Sequence, residues 1–240
     1  MAPIPSVDAL AAELEREGAD AAARLSAAIA AARALNDAGD AVVERFVADA
    51  RAAGLSWAQI GELFGTSKQA AQKRYGAAPV GAWPGHAGVA LRPVLDRAAD
   101  EARELGALCV GTEHVLLALL SAGAGAAQVL AELGITRAGV LAALGPGGAR
   151  GHEGALGVMP RLKRALELAQ TLTAGLGHER AGPEHLLAAI VADRDAYAVC
   201  ILGQLGAKPG DVRAALARRL GVDESQLTTR RRRRLRRAAA

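Results

Sequence analysis

The sequence predicts an all-α fold, a helix-turn-helix module followed by a two-repeat helical bundle, on three observations. Apolar residues recur with a 3.6-residue period along most of the chain. The alternating β-branched runs that mark strands are missing, and one apolar unit occurs twice in the second half. With 240 residues, 51% of them apolar, the chain has room for one large or two small domains with sizeable cores. Any strand is expected to be incidental.

Residues 1–78 read as a long helix plus a helix-turn-helix. Val7 to Asn36 is alanine-rich, with Leu10, Leu14, Ala21, Leu25, Ala28, Ala32 and Leu35 near a seven-residue beat. Two uses fit this pattern: a pairing helix that makes a homodimer, or a long helix packed on the neighbouring module. From Asp40 to Tyr75 three helices are expected. Val42, Val43, Phe46, Val47 and Ala50 stripe the first, Gly54 ends it, and Ser56 caps the second. Trp57, Ile60, Leu63 and Phe64 make that second helix apolar on one side. Gly65 then supplies a left-handed turn residue and Ser67 a fresh N-cap. In the third helix Ala71 and Tyr75 point inward, leaving Lys68, Gln69, Gln72 and Lys73 on one exposed flank. Phe46, Trp57, Phe64 and Tyr75 are expected to form the core of this module.

Amides and cations are what a DNA major groove rewards. Gln pairs bidentately with adenine and Lys with guanine, while Ser67, Lys73 or Arg74 can hold phosphates. The stretch Leu55 to Ala71 resembles the helix-turn-helix of bacterial DNA-binding regulators. That resemblance implies duplex DNA as partner through Ser67, Lys68, Gln69, Gln72, Lys73 and Arg74, read by a two-fold dimer. The alternative is a helix-turn-helix used only for packing.

Residues 79–90 form the linker, since Ala77 to Gly88 contains Pro79, Gly81, Pro84, Gly85 and Gly88. The duplication fills 91–221, as repeats at 91–145 and 158–221 around a second glycine-rich break. Leu95, Ala98, Ala99, Ala102 and Leu105 stripe the first helix of one copy, and Leu162, Ala165, Leu166, Ala169 and Leu172 that of the other. Seventy-one residues apart (113 to 184), a glutamate-histidine pair then heads an apolar run, Thr112-Glu113-His114-Val115-Leu116-Leu117 and Pro183-Glu184-His185-Leu186-Leu187. Ala127 to Gly134 and Val199 to Gly206 form a third matched pair, each followed by a short helix.

These motifs, with Met159 to Leu168, resemble the N-terminal domain of the Clp/Hsp100 unfoldases, the ClpC type above all. The resemblance implies a compact helical receptor for adaptors, exposed peptide segments or phosphorylated arginine. Carried over residue by residue, it places the contacts at Thr112 and Glu113 in the first copy and at Glu184 in the second, where Pro183 replaces the threonine. A carboxylate receives a guanidinium fork bidentately, which suits an arginine-containing ligand. The local alternative is that these residues only cap their helices. A phenylalanine usual near the start of each repeat is replaced by Val158 in the second and by small or aliphatic residues between Ala87 and Leu91 in the first. The Gly-Lys pair of a phosphate-cradling loop occurs nowhere in the 240 residues, so an ATP-driven motor is not expected within them.

The net charge of +4 is uneven. Arg230, Arg231, Arg232, Arg233, Arg234, Arg236 and Arg237 supply seven positive charges to a 222–240 tail expected to be disordered, and removing those seven from +4 leaves −3. Such an arm either attracts polyanions without sequence preference or is merely solvated. Cys109 and Cys200 sit in apolar helical contexts and are read as small buried residues, not as a disulfide or zinc pair. His114 and His185 lack a second ligand at metal-binding spacing, and neither a Gly-x-Ser-x-Gly elbow nor a Cys/His arrangement is present. No cofactor, metal or catalysis is expected. The first eight residues have neither a basic leader nor a continuous apolar core, and no stretch reaches bilayer length free of charge, so a cytoplasmic protein without membrane contact is expected.

Two functions emerge. In the first, the chain is a DNA-binding regulator whose repeats sense a protein, peptide or cyclic peptide ligand. In the alternative, the repeats act as a decoy or adaptor of the Clp protease system, sequestering peptide antibiotics, substrates or adaptors.

Overall fold

The computed structural model describes residues 7–17, 20–76, 83, 88–107, 109–121, 123, 125–144 and 156–228. The N-terminal part holds four helices: α1 (Val7–Glu17), α2 (Ala21–Ala52), α3 (Trp57–Leu63) and α4 (Lys68–Tyr75). The long-helix prediction is corrected here in one respect. The break falls before Ala21 and not before Asp40, because Asp20 accepts the Ala23 amide at 2.8 Å and starts a helix that runs unbroken through Gly39 to Ala52.

The turn chemistry follows the sequence. Ser56 and Gln59 form a reciprocal capping box on α3, with the Ser56 amide donating to Gln59 Oε1 at 2.8 Å. Gly65 has φ +63° and Ser67 caps α4 by accepting the Ala70 amide. Gly61 allows the two helices to close: a Cβ there would fall 2.8 Å from the Thr66 carbonyl oxygen. The small core contains Val47, Ile60, Ala71 and Tyr75. Phe46, expected inside, is 67% exposed, because the face of α2 turned to this core is Val43, Val47 and Ala50, and Phe46 lies about 100° around the helix from Val47. Phe64, also expected inside, is 43% exposed and stacks on Tyr75 at 5.0 Å.

The repeats follow as α5 (Gly88–Glu104), α6 (Thr112–Ser121), α7 (Ala126–Glu132) and α8 (Arg137–Leu144), then α9 (Pro160–Gly175), α10 (Pro183–Ala192), α11 (Tyr197–Gln204) and α12 (Pro209–Leu220). Their predicted stripes face one shared core in which Leu95, Ala98, Leu116, Leu162, Leu166 and Leu186 are fully enclosed. Two-residue strands β1 (Cys109–Val110) and β2 (Gly157–Val158) pair in parallel and clip the copies together. Cys109 and Cys200 are both buried thiols, and burial, aided by the nearby Glu44 charge, pushes Cys109 up to about 12.

Two boundaries differ from expectation. α5 begins at Gly88, inside the expected linker, and Trp83 from the same linker is buried, donating its indole N–H to Asp96 at 2.7 Å. The expected tail contributes a 3₁₀ turn at Glu224–Leu227, whose Leu227 is fully buried and whose chain packs on α9 and α12. The seven tail arginines lie outside the described residues.

The N-terminal part is held against the second repeat. α2 packs on α11 and β2. Glu44 on α2, 5% exposed, accepts from Lys163 of α9 through Oε1, while its Oε2 has no partner. Burial pushes the Glu44 pKa up, with Asp40 adding to this and Lys163 opposing it.

Candidate functional site

The site is built at the N-termini of α6 and α10. Each helix is preceded by a glycine and carries a histidine at its third position. The Gly111 amide donates to His114 Nδ1 at 2.9 Å and the Gly182 amide to His185 Nδ1 at 3.1 Å. The paired histidines therefore take the place that Glu or Gln holds in an ordinary capping box. The sequence reading missed this role, although the repeated Gly-x-x-His spacing carried the signal.

Between cap glycine and histidine the copies diverge. Thr112 is 3% exposed, and its Oγ1 accepts the Ala198 amide of α11 at 3.2 Å, so the hydroxyl completes a helix start in the opposite repeat. Glu113 folds back over its own helix start: a Cβ on Gly111 would fall 2.2 Å from its Oε1, which lies 3.0 Å from His114 Nδ1. Burial works to raise the Glu113 pKa, but His114, its own amide and Thr112 outweigh this and hold it below the usual range. His114 Nδ1 serves either the Gly111 amide, when bare, or Glu113, when protonated, and not both at once.

Glu184 instead straddles two helix starts, its Oε2 standing 3.3 Å from where a Cβ on its own Gly182 would be. Its Oε1 lies over Gly125, the uncapped residue before α7, where a Cβ would come within 1.9 Å, and 3.6 Å from Arg219 Nε. The carboxylate thus sits at the positive end of a helix in the first repeat. The contacts cross in both directions: Thr112 bonds the start of α11, and the Glu184 carboxylate lies over the start of α7. Glu184 opens into a cleft of about 520 Å³ lined by Glu132, Ala215, Arg218, Arg219 and Leu220. Thr112 and Glu113 do not line it.

His185 adds a second bond. Since its Nδ1 accepts from Gly182, its proton is on Nε2, which donates to His178 Nδ1 at 2.8 Å. Burial, then His178, lowers the His185 pKa, and Glu184 acts against them. The matching residue in the first repeat is Ala107. Of the positions lacking the usual phenylalanine, Val158 is buried in β2 and Val89 is 85% exposed.

On α4, Lys68, Gln69 and Gln72 are exposed. Ser67 is also exposed, its oxygen engaged by the helix cap. Arg74 is turned to Asp40, at 3.3 Å, and lies over the Tyr75 ring. Ala70 and Arg74 border a cleft of about 420 Å³ with Pro160, Lys163, Arg164 and Glu167 of α9. The Lys73 side chain lies outside the described set. Among the described residues no cluster of His, Cys, Asp and Glu could hold a metal ion, and no single helix is long and apolar enough to cross a membrane.

Comparison with known proteins bears on the repeats. The profile of the Clp repeat (R) N-terminal domain matches residues 89–150 and 158–239. A chloroplastic chaperone protein ClpC of Pisum sativum is 38% identical over 144 residues, covering 56% of this chain and 15% of that protein. A chaperone protein ClpB of Oceanobacillus iheyensis is 33% identical over 138 residues, 55% of this chain and 17% of its own length. The chain thus spans about a sixth of these relatives or less. Among solved structures, the N-terminal domain of the ClpD chaperone from Arabidopsis thaliana aligns with 23% identity and a TM-score of 0.45, covering 57% of this chain and 96% of that one. With more than half of its residues inside the matched segments, the chain belongs to the Clp repeat N-terminal domain family.

Proposed function

We propose that this chain is a non-catalytic polypeptide receptor of the Clp type, an adaptor or decoy that takes up arginine-containing or phosphoarginine-containing segments, peptide antibiotics or adaptors of the Clp protease system. The mixed-charge cleft around Glu184 carries this reading. Glu184 and Glu132 offer carboxylates to a guanidinium, and Arg218 and Arg219 stand beside them for an attached anion such as a phosphoryl group. A ligand with both charges would replace the loose 3.6 Å contact between Glu184 and Arg219 by two charge-assisted contacts. In the first repeat the equivalent groups are turned inward, so the reading places one such cleft per chain. The test is calorimetric titration of a phosphoarginine peptide and its unmodified arginine counterpart. Glu184→Ala is expected to weaken both, by about tenfold or more, and Arg219→Ala only the phosphorylated one. Unchanged affinity in Glu184→Ala would exclude the cleft.

A second reading, duplex DNA binding, is favoured by the exposed Lys68, Gln69 and Gln72 on the flank of α4. Alanine at all three would lower affinity for a selected duplex while leaving peptide binding alone. The arginine arm, cut after Thr229, would account for a log-log salt slope of up to about 6 if every arginine met a phosphate. Duplex binding that survives the triple replacement and vanishes with the arm would rule out sequence reading by α4.

A further inference from the structure

The unbroken α2 exposes a stripe that the small core does not use. Leu25, Ala28, Ala32, Leu35, Gly39, Val42 and Phe46 follow one another at strictly alternating intervals of three and four residues. This is the 3.5-residue period of a helix that pairs with another helix, narrower than the arc used to cover a globular core. With α1 in place, Leu25 is 64%, Leu35 47%, Val42 47% and Phe46 67% exposed. The residues of α2 turned to the helix-turn-helix core, Val43, Val47 and Ala50, form a separate row.

We propose that α2 pairs in parallel with α2 of a second copy of this chain. Three features of the stripe specify a second copy. None of its seven positions from Leu25 to Phe46 is charged, so an identical stripe fits without burying an ion. Ala28, Ala32 and Gly39 keep the helix slim, and Gly39 has nothing within 4 Å of an added Cβ, so a partner backbone can come close. The flanking charges then choose the direction. In a parallel pair Arg24 faces Ile29 of the other helix, and Arg45, already held by Asp49 at 3.1 Å, meets no cation. An antiparallel pair would bring Arg24 against Arg45.

The seam from Leu25 to Phe46 is roughly 32 Å long, and a strip one helix wide over that length covers roughly 350 Å² on each copy. That is well below the ~800 Å² per partner of a standard interface, so a weak, reversible pair is expected. The inference does not depend on what the repeats or α4 bind.

Sedimentation velocity on the full chain tests it. The wild type is expected to shift from monomer to dimer as concentration rises to about 100 µM, and Leu35→Glu or Phe46→Glu to raise the dissociation constant at least about 100-fold, since each places a charge in the seam. Leu63→Glu, at a 78% exposed site on α3, is the control and leaves the dimer intact. A monomeric wild type throughout, or a dimer untouched by both seam variants, overturns the proposal. Gly39→Cys reads the direction, because the native Cys109 and Cys200 are buried. A parallel pair cross-links on mild oxidation, and a dimer that does not cross-link overturns the parallel arrangement.

Discussion

The two repeats share a backbone plan and differ in what they leave open. In the first, Thr112 and Glu113 are drawn inward, one to cap α11 and the other to lie over Gly111. In the second, Glu184 opens into a cleft with two arginines, His185 is bonded to His178, and Lys163 is tied to Glu44 on α2. The position matching Lys163 in the first repeat is Arg92, which is exposed. At this site the polar groups of the first copy turn into the fold, while those of the second reach a cleft, a second histidine and α2.

The strongest way to break this contrast is to cut the buried tie between Lys163 and Glu44. Lys163→Met leaves Glu44 buried beside an apolar side chain and is expected to cost about 3 kcal/mol in urea unfolding, whereas Glu44→Leu with Lys163→Leu is expected near wild type. Arg92→Met, at the matching place, should cost at most ~0.5 kcal/mol. Next comes the cross-repeat bond. Thr112→Val strands the Ala198 amide and is expected to lose about 1–3 kcal/mol, while a Val in place of Pro183, which has no such partner, loses less. Third, His114→Ala and His185→Ala each remove a helix cap worth about 1 kcal/mol, and similar losses would show that the histidines share one structural role.

The smallest effect sharpens the contrast most. The folded pKa of His185 lies below its unfolded value, so the folded state binds fewer protons. Its contribution is fully present above about pH 6.5, the unfolded value, and is lost as pH falls below it. A proton added to the His178–His185 pair must also break one of its two bonds, because both remaining basic nitrogens are occupied. Thermal stability followed from pH 7.5 to 5.5 (about the range in which histidine titrates) should therefore decline, less steeply in His178→Ala. An equal decline in that variant would show that the second ring has no part in it.

Much of the fold was legible because it rests on local signals. The stripes of α5 and α9, the caps Ser56 and Ser67 and the turn at Gly65 are set by residues within one or two turns of each other. What could not be read depends on partners distant in sequence. Phe46 belongs to an apolar run, and nothing local says that Val47 would face the core in its place. Thr112 and Glu113 looked equivalent in kind to Glu184 because the repeat aligns them. Their difference comes from Ala198 and Gly125, contacts made 86 and 59 positions away (112 to 198, 125 to 184). Trp83 and Leu227 sit in stretches whose composition suggests linker and tail, yet each fills a hole in the repeat core.

The bond from the Ala198 amide to Thr112 and the seat of Glu184 over Gly125 tie each repeat to a helix start of the other. A single copy would carry a third helix with bare amide groups at its start and no group of its own to meet them. Separated from its twin, such a half would leave that helix start to water, so the two copies are expected to unfold as one cooperative unit.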